Sequence, residues 1–161
     1  MLVPIDQMPE TSRVWIYQAD RRLSLDESSF VEKAGTDFLA GWTAHGHPLK
    51  ASFSLEYDQF LLITVDEEEA QASGCSIDSS VHLIRELEER LQLSFTDHGN
   101  VAFLIDQEVT LLPFNKVKEK VTANEILPET KVFDNTVKNL GEFRSKWLTT
   151  SEKTWISRFF N

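Results

Sequence analysis

The run FLLITV at residues 60–65 is the sequence feature that most restricts the fold. Its apolar side chains lie on both faces of the extended chain, which is typical of a strand at the centre of a sheet. A strand with one face in water would instead alternate between apolar and polar residues. The rest of the chain must therefore supply packing on both sides of this strand.

The segments before this strand predict a strand, a helix and a second strand. Residues 13–18 (RVWIYQ) are dense in β-forming side chains. The text SLDE then predicts a capping box that begins a helix, with Ser24 as N-cap and Glu27 bonding back to it. Gly46 is expected to end this helix. Alternation in residues 50–57 (KASFSLEY) indicates a half-buried strand.

After the central strand, the pattern predicts another helix and a hairpin. We expect the inward face of this helix to consist of five apolar residues at helical spacing, namely Ile77, Val81, Ile84, Leu87 and Leu91. The segments NVAFLI and EVTLLPF predict two strands joined at Asp106-Gln107. The order β-α-β-β-α-β, followed by an extra strand, matches the ferredoxin-like layout. In that α+β fold, one antiparallel sheet carries both helices on the same face.

Helices on one face would leave the other face of the sheet bare, and a large bare apolar surface is uncommon on a soluble monomer. We expect a single domain, 1–161, with a core at about 11–114. A helical C-terminal extension at about 115–161 would cover the second face with its aromatic side chains, including Trp155 and Phe159. A homodimer through that face is the alternative.

Composition excludes several classes of function. The chain has 161 residues, one cysteine and a net charge of −10, and such a field repels nucleic acid and anionic membrane surfaces. No apolar run is long enough to span a membrane. A lone cysteine and no recognisable export signal favour a cytoplasmic location. The phosphate loop of ATPases, the dinucleotide fingerprint and the serine nucleophile elbow are all absent.

The predicted topology brings two loops to one edge of the sheet, and these loops carry the candidate catalytic residues. His45 and His47 follow the first helix, and Cys75 precedes the second, with Asp66 at the end of the central strand. A helix N-terminus lowers a thiol pKa, so Cys75 could be a nucleophile with one of the two histidines as base. Asp78 opposes this, because nearby negative charge raises the thiol pKa.

Simpler interpretations of the same residues carry more weight. Free cysteine is among the most buried residue types, so Cys75 is expected to be a small apolar residue in the turn. Ser76 or Asp78 can cap the second helix. A zinc-type set of His45, His47, Cys75 and Asp66 lacks the paired spacing of known metal motifs, and we predict no metal or cofactor.

Four phrases resemble a family of short uncharacterised bacterial proteins often labelled "ABC transporter ATPase". They are VWIYQADR, WTAHGHPLKASF, SGCSIDSSV and SRFF, and the resemblance covers nearly the whole chain. The missing phosphate loop does not support the ATPase label. The resemblance implies no known activity, but two of the shared phrases fall on the loops that carry His45, His47 and Cys75.

These observations favour a small acidic binding or interaction module without ATPase activity. Its partner, a protein or a small molecule, is not specified by the sequence. The alternative is a thiol-dependent enzyme with Cys75 as nucleophile and a loop histidine as base.

Overall fold

The computed structural model describes residues 1–161. They form four layers, of which two are antiparallel sheets and two are helical. Short 3-10 helices lie at Ile5–Gln7, Phe114–Lys116, Ser151–Lys153 and Trp155–Phe159. The strands and helices, in chain order, are β1 (Arg13–Gln18), α1 (Leu25–Ala40), β2 (Thr43–Ala44), β3 (His47–Pro48), β4 (Lys50–Glu56), β5 (Phe60–Asp66), α2 (Gly74–Leu91), β6 (Asn100–Ile105), β7 (Glu108–Pro113), α3 (Val117–Thr122), β8 (Lys131–Phe133), α4 (Leu140–Lys146) and β9 (Leu148–Thr150). The chain is therefore α+β, as predicted. No helix combines the length and apolarity needed to cross a membrane.

The first sheet confirms the prediction for residues 60–65. Its order is β1-β5-β4, all antiparallel, and every residue of β5 is buried. Ile63 at its centre faces Trp15 of β1 and Phe53 of β4 across the two ladders. The strand therefore lies at the middle of this sheet with layers packed on both faces.

Helices α1 and α2 cover one face of the first sheet. The capping box at the start of α1 forms as predicted, since Ser24 Oγ accepts from Glu27 N at 3.1 Å and Ser24 N donates to Glu27 at 2.9 Å. The expectation for Gly46 is wrong, because α1 already ends at Ala40. Gly46, with φ of +80°, instead forms the turn of the small β2–β3 hairpin, a conformation that glycine adopts without strain.

Helix α2 begins earlier than expected and buries a partly different face. Ser73 is the N-cap and Ser76 is its reciprocal partner, so neither Ser76 nor Asp78 is the N-cap. The buried residues are Ser76, Ser80, Leu83, Ile84 and Leu87, whereas Ile77 and Val81 are only half-buried. Ser76 and Ser80 are buried at the start of α2 because the indole of Trp42 packs against this part of the helix.

A second sheet replaces the single sheet of the ferredoxin-like prediction. Its order is β7-β6-β8-β9, and β6 pairs with β7 and β8 rather than with β1. The segment before α4 forms a hydrogen bond with the free edge of β1 instead, since Val14 N donates to Lys138 O at 3.2 Å. The expectation of one four-stranded sheet extended by β6 is therefore wrong. The two sheets pack face to face.

The space between the sheets holds an apolar core that explains how the second face is covered. Side chains from both sheets and from α4 meet there, including Phe60, Leu62, Ala102, Phe133 and Trp147. The C-terminal extension thus contributes to the cover, as expected, but β8 and β9 do so as strands of the second sheet. A homodimer through this face would need surface that is already buried within the chain.

The aromatic tail lies elsewhere than predicted. Ile156 is fully buried against Phe103 and Val117 on the outer face of the second sheet, and Trp155 and Phe159 pack on this cluster. The tail and α3 therefore form the fourth layer, remote from the first sheet. It covers β6 because Phe103 points away from the inter-sheet core.

Candidate functional site

The loop after α1 and the start of α2 meet at one edge of the molecule. The indole of Trp42 donates from Nε1 to Ser76 O at 2.8 Å and to Ser79 Oγ at 3.2 Å. Trp42 is buried and directly precedes the β2–β3 hairpin, so it anchors that hairpin against the first turn of α2. We call this region the Trp42 rim.

The three catalytic candidates are all exposed on the Trp42 rim. Cys75 is the second residue of α2, and its exposure shows that the buried-turn interpretation is wrong. His45 sits in the hairpin turn with φ of +51°, and His47 belongs to β3. None of their side chains forms a hydrogen bond within the protein, and none lines one of the five main cavities.

The remaining predicted site residues have structural roles or no partner. Asp66 is buried and pairs with Lys50 Nζ at 3.2 Å, and it also accepts from Glu68 N at 3.1 Å. The Ser76 hydroxyl donates to Ser73 O at 2.8 Å within the helix cap. Asp78 is exposed and forms no ion pair. No three His, Cys, Asp or Glu side chains are grouped so that they could hold a metal ion.

A cavity of about 240 Å³ lies at the other side of the fold, where sequence analysis predicted no site. It opens between the beginning of β6, the end of β8 and the turn that follows β8. Its apolar wall includes Ala102, Val132, Phe133 and Trp155, and its polar lining includes Gln18, Asp97, His98, Asp134, Asn135 and Thr136. We call it the β6–β8 cavity.

A chain of hydrogen bonds fixes two amide side chains of this lining. Trp147 Nε1 donates to Asn135 Oδ1 at 2.9 Å, and Asn135 Nδ2 donates to Gln18 Oε1 at 2.9 Å. Gln18 Nε2 then donates to Asn100 O at 3.3 Å. Because the indole of Trp147 belongs to the inter-sheet core, the orientation of both amides is set by a rigid part of the protein.

Two carboxylates give the β6–β8 cavity its charge. Asp97 Oδ1 accepts from Gly99 N at 2.8 Å, and Asp134 Oδ1 accepts from Thr136 N at 3.0 Å. Each side chain thus stabilises its own turn through one oxygen. Neither aspartate forms an ion pair, and no Lys or Arg lines the cavity. The lining therefore contains two carboxylates and no Lys or Arg, and its one imidazole is that of His98.

The aromatic wall of the cavity is braced from outside. Phe114 stacks on Trp155 with ring centroids 4.9 Å apart. Arg158 donates from Nε to Trp155 O at 2.9 Å, and its guanidinium lies 5.8 Å from the centroid of the indole. This cation is held at the main chain of the tail and does not pair with either carboxylate of the lining.

Only a weak sequence signal marks the β6–β8 cavity. Its polar residues come from two short turns, DHGN at 97–100 and DNT at 134–136, and from the end of β1. Asp and Asn are frequent in turns for purely local reasons, so neither turn suggests a ligand by itself. Their proximity depends on the pairing of β6 with β8.

Comparison with known proteins does not place the chain in a family. No protein-family model, curated protein or solved structure matches the chain.

Proposed function

We propose that the protein is a non-enzymatic binding module that holds a small cationic group in the β6–β8 cavity. The observation that carries this proposal is the pair of carboxylates, Asp97 and Asp134, lining a concave space that contains no Lys or Arg side chain. Ligand sites typically combine an apolar wall with a few convergent polar groups, and this cavity has both. A cationic ligand in the cavity would balance the negative charge of these two carboxylates.

The size of the cavity indicates the kind of group that fits. Its volume of about 240 Å³ lies below the range of about 300–1,000 Å³ that is usual for drug-sized ligands. A guanidinium or ammonium group on a short alkyl stem suits such a space. The carbonyl oxygens of Gln18 and Asn135 each accept one hydrogen bond and have capacity for a second from the ligand.

Calorimetric titration with N-acetyl-arginine amide tests the proposal, and the citrulline analogue is the uncharged control of nearly the same shape. We expect the arginine probe to bind and Asp134→Asn to weaken it about tenfold, a loss of about 1.4 kcal/mol. Asp78→Asn removes the same charge at the Trp42 rim and should leave binding unchanged. Equal binding of the citrulline analogue, or equal weakening by Asp78→Asn, would contradict the proposal.

The remaining features of this proposal come from composition. The net charge of −10 supports a module that binds neither nucleic acid nor anionic membranes. The single cysteine supports a cytoplasmic location, and the missing phosphate loop supports a protein without ATPase activity. Separation of cell extracts into cytoplasmic and exported fractions checks the location.

A thiol-dependent activity at Cys75 is the second candidate, and the exposure of this residue on the first turn of α2 favours it. Exposed N–H groups at a helix N-terminus stabilise a thiolate. The native protein would then react with iodoacetamide near neutral pH faster than free cysteine does, and His45→Ala or His47→Ala would slow the reaction. A rate equal to that of free cysteine would eliminate this candidate.

A further inference from the structure

A groove runs between the two helices of the outer layer, on the side of the molecule away from the β6–β8 cavity. Helices α1 and α2 lie antiparallel, since Arg21 before α1 donates to Leu91 O at 3.0 Å and Trp42 after α1 donates to Ser76 O. The space between them has a volume of about 670 Å³. Side chains from the middle of α1 and the second half of α2 line it. We call it the helical groove.

The floor of the helical groove is apolar and one of its walls is an exposed aromatic ring. Leu83 and Leu87 belong to the buried core, and Ala34 lies beside them. Phe30 is 38% exposed, and its only aromatic or cationic partner is the guanidinium of Arg90 at 5.3 Å from the ring centroid. A side chain of a partner could cover the floor and contact this ring at the same time.

The charge around the helical groove identifies the kind of partner. Helices α1 and α2 contain eight Asp and Glu against three Lys and Arg, so they carry a charge of −5, half of the chain's total. Glu89 on the groove wall forms no ion pair, and Glu86 pairs only with His82 at 3.7 Å on the exposed surface. A second copy of this face would be repelled, whereas a basic segment would be attracted.

We propose that the helical groove docks a cationic amphipathic helix from a protein partner. An apolar anchor of that helix packs on Leu83 and Leu87 beside Phe30, while its Lys and Arg side chains lie near Glu86 and Glu89. Recognition of an amphipathic helix by a hydrophobic groove uses anchors one or two turns apart, and the groove follows two helices that are long enough to present such a surface. This interaction is independent of the β6–β8 cavity.

A labelled Leu/Lys peptide about four helical turns long is a suitable probe, because its apolar and basic residues lie on opposite faces. Its control has the same composition in a scrambled, non-amphipathic order. Binding is measured by fluorescence anisotropy in about 0.15 M NaCl, where long-range attraction is largely screened. We expect the amphipathic peptide to bind at least about tenfold more tightly than the scrambled one.

Variants of the protein then localise the binding. Phe30→Ala and Glu89→Lys should each weaken binding of the amphipathic peptide about tenfold or more. Matched changes outside the groove are Leu25→Ala, at an 80% exposed position, and Glu32→Lys, and both should leave binding within about twofold. All four positions are at the surface, so folding is preserved and circular dichroism verifies it.

Three outcomes would overturn this proposal. Equal binding of the scrambled peptide would mean attraction by net charge alone. Equal weakening by Glu32→Lys would mean that the groove has no special role. Self-association of the wild-type protein in sedimentation experiments, abolished by Phe30→Ala, would mean that a second copy occupies the groove.

Discussion

The Trp42 rim and the β6–β8 cavity are built in the same way but differ in what they present to solvent. In each region a buried indole donates a hydrogen bond to a polar group of a neighbouring segment. Trp42 donates to the main chain and the Ser79 hydroxyl of α2 and so fixes a helix end. Trp147 donates to the side chain of Asn135 and so fixes part of a cavity wall.

Reactive residue types alone therefore do not define a site. The Trp42 rim carries Cys75, His45 and His47, but their side chains form no hydrogen bonds and line no main cavity. The β6–β8 cavity carries only common turn residues, yet these converge on one concave space with uncompensated charge. Convergence comes from the tertiary fold, and for this reason we propose the cavity rather than the rim as the binding site.

The largest expected effect comes from removing either indole. Trp147→Ala and Trp42→Ala should each lower the free energy of unfolding by about 3–5 kcal/mol, because each leaves a large cavity in a packed core. Urea denaturation followed by circular dichroism measures both. A loss below about 1 kcal/mol at either position would mean that the indole there is not packed as described.

Conservative changes at the same two positions separate stability from binding. Trp147→Phe and Trp42→Phe keep most of the apolar volume, and each should cost about 1–2 kcal/mol through the lost hydrogen bond and the altered packing. Only Trp147→Phe should also weaken binding of N-acetyl-arginine amide, because only Trp147 orients Asn135. If Trp42→Phe weakened the probe equally, the assignment of binding to the cavity would fail.

The exposed residues of the Trp42 rim should be tolerant of substitution. Cys75→Ser and His47→Ala are expected to change the free energy of unfolding by no more than about 0.5 kcal/mol, as is usual for surface positions without partners. Thermal denaturation of the two variants beside the wild type measures this. A larger loss at Cys75 would indicate packing that its exposure excludes.

A further small effect concerns the ion pair at the end of the helical layer opposite the rim. Two hydrogen bonds from Arg21, at 2.8 and 2.7 Å, lower the pKa of Glu27 to about 2, and the amide of Ser24 adds to the shift. Because the pKa is depressed, the stabilisation is complete above about pH 4.5 and disappears as the pH falls towards about 2. The pair is exposed, so its contribution is below about 1 kcal/mol.

Glu27→Gln tests this pH dependence, because it keeps a capping-box partner for Ser24 and removes the charge. The wild type should be slightly more stable than the variant at neutral pH, and the difference should shrink between about pH 4.5 and 2. Denaturant titrations at several pH values measure it. A difference that grows on acidification would have the wrong sign for this ion pair.

Local sequence signals predicted the first half of the fold well. The capping box at Ser24, the central position of β5 and the extended conformation of β4 depend on neighbouring residues and on burial, which periodicity reports directly. The predicted alternation of burial along β4 is wrong, because Ser52 is buried beside Ala51. The prediction that Gly46 ends α1 is wrong because a glycine with positive φ can occur equally well at a helix end and in a hairpin turn. The distinction depends on where α1 stops.

The position of β6 could not be predicted because its pattern fits two arrangements. A strand that is apolar on both faces can extend the first sheet beside β1 or form a second sheet that packs on it. Which arrangement forms depends on the hydrogen bond from Val14 N to Lys138 O and on the pairing of β6 with β8. Both interactions join residues that are far apart in the chain. The β6–β8 cavity follows from that pairing, so it was missed for the same reason.

Mapping the bound arginine probe by NMR tests directly whether the β6–β8 cavity holds a cationic group. In a ¹H–¹⁵N titration with N-acetyl-arginine amide, we expect shifts for the amides of Gly99, Asn135 and Thr136 and for the indole N–H of Trp155, with little change around Cys75. Shifts confined to the acidic helices α1 and α2 or to the Trp42 rim, with those cavity signals unchanged, would contradict it.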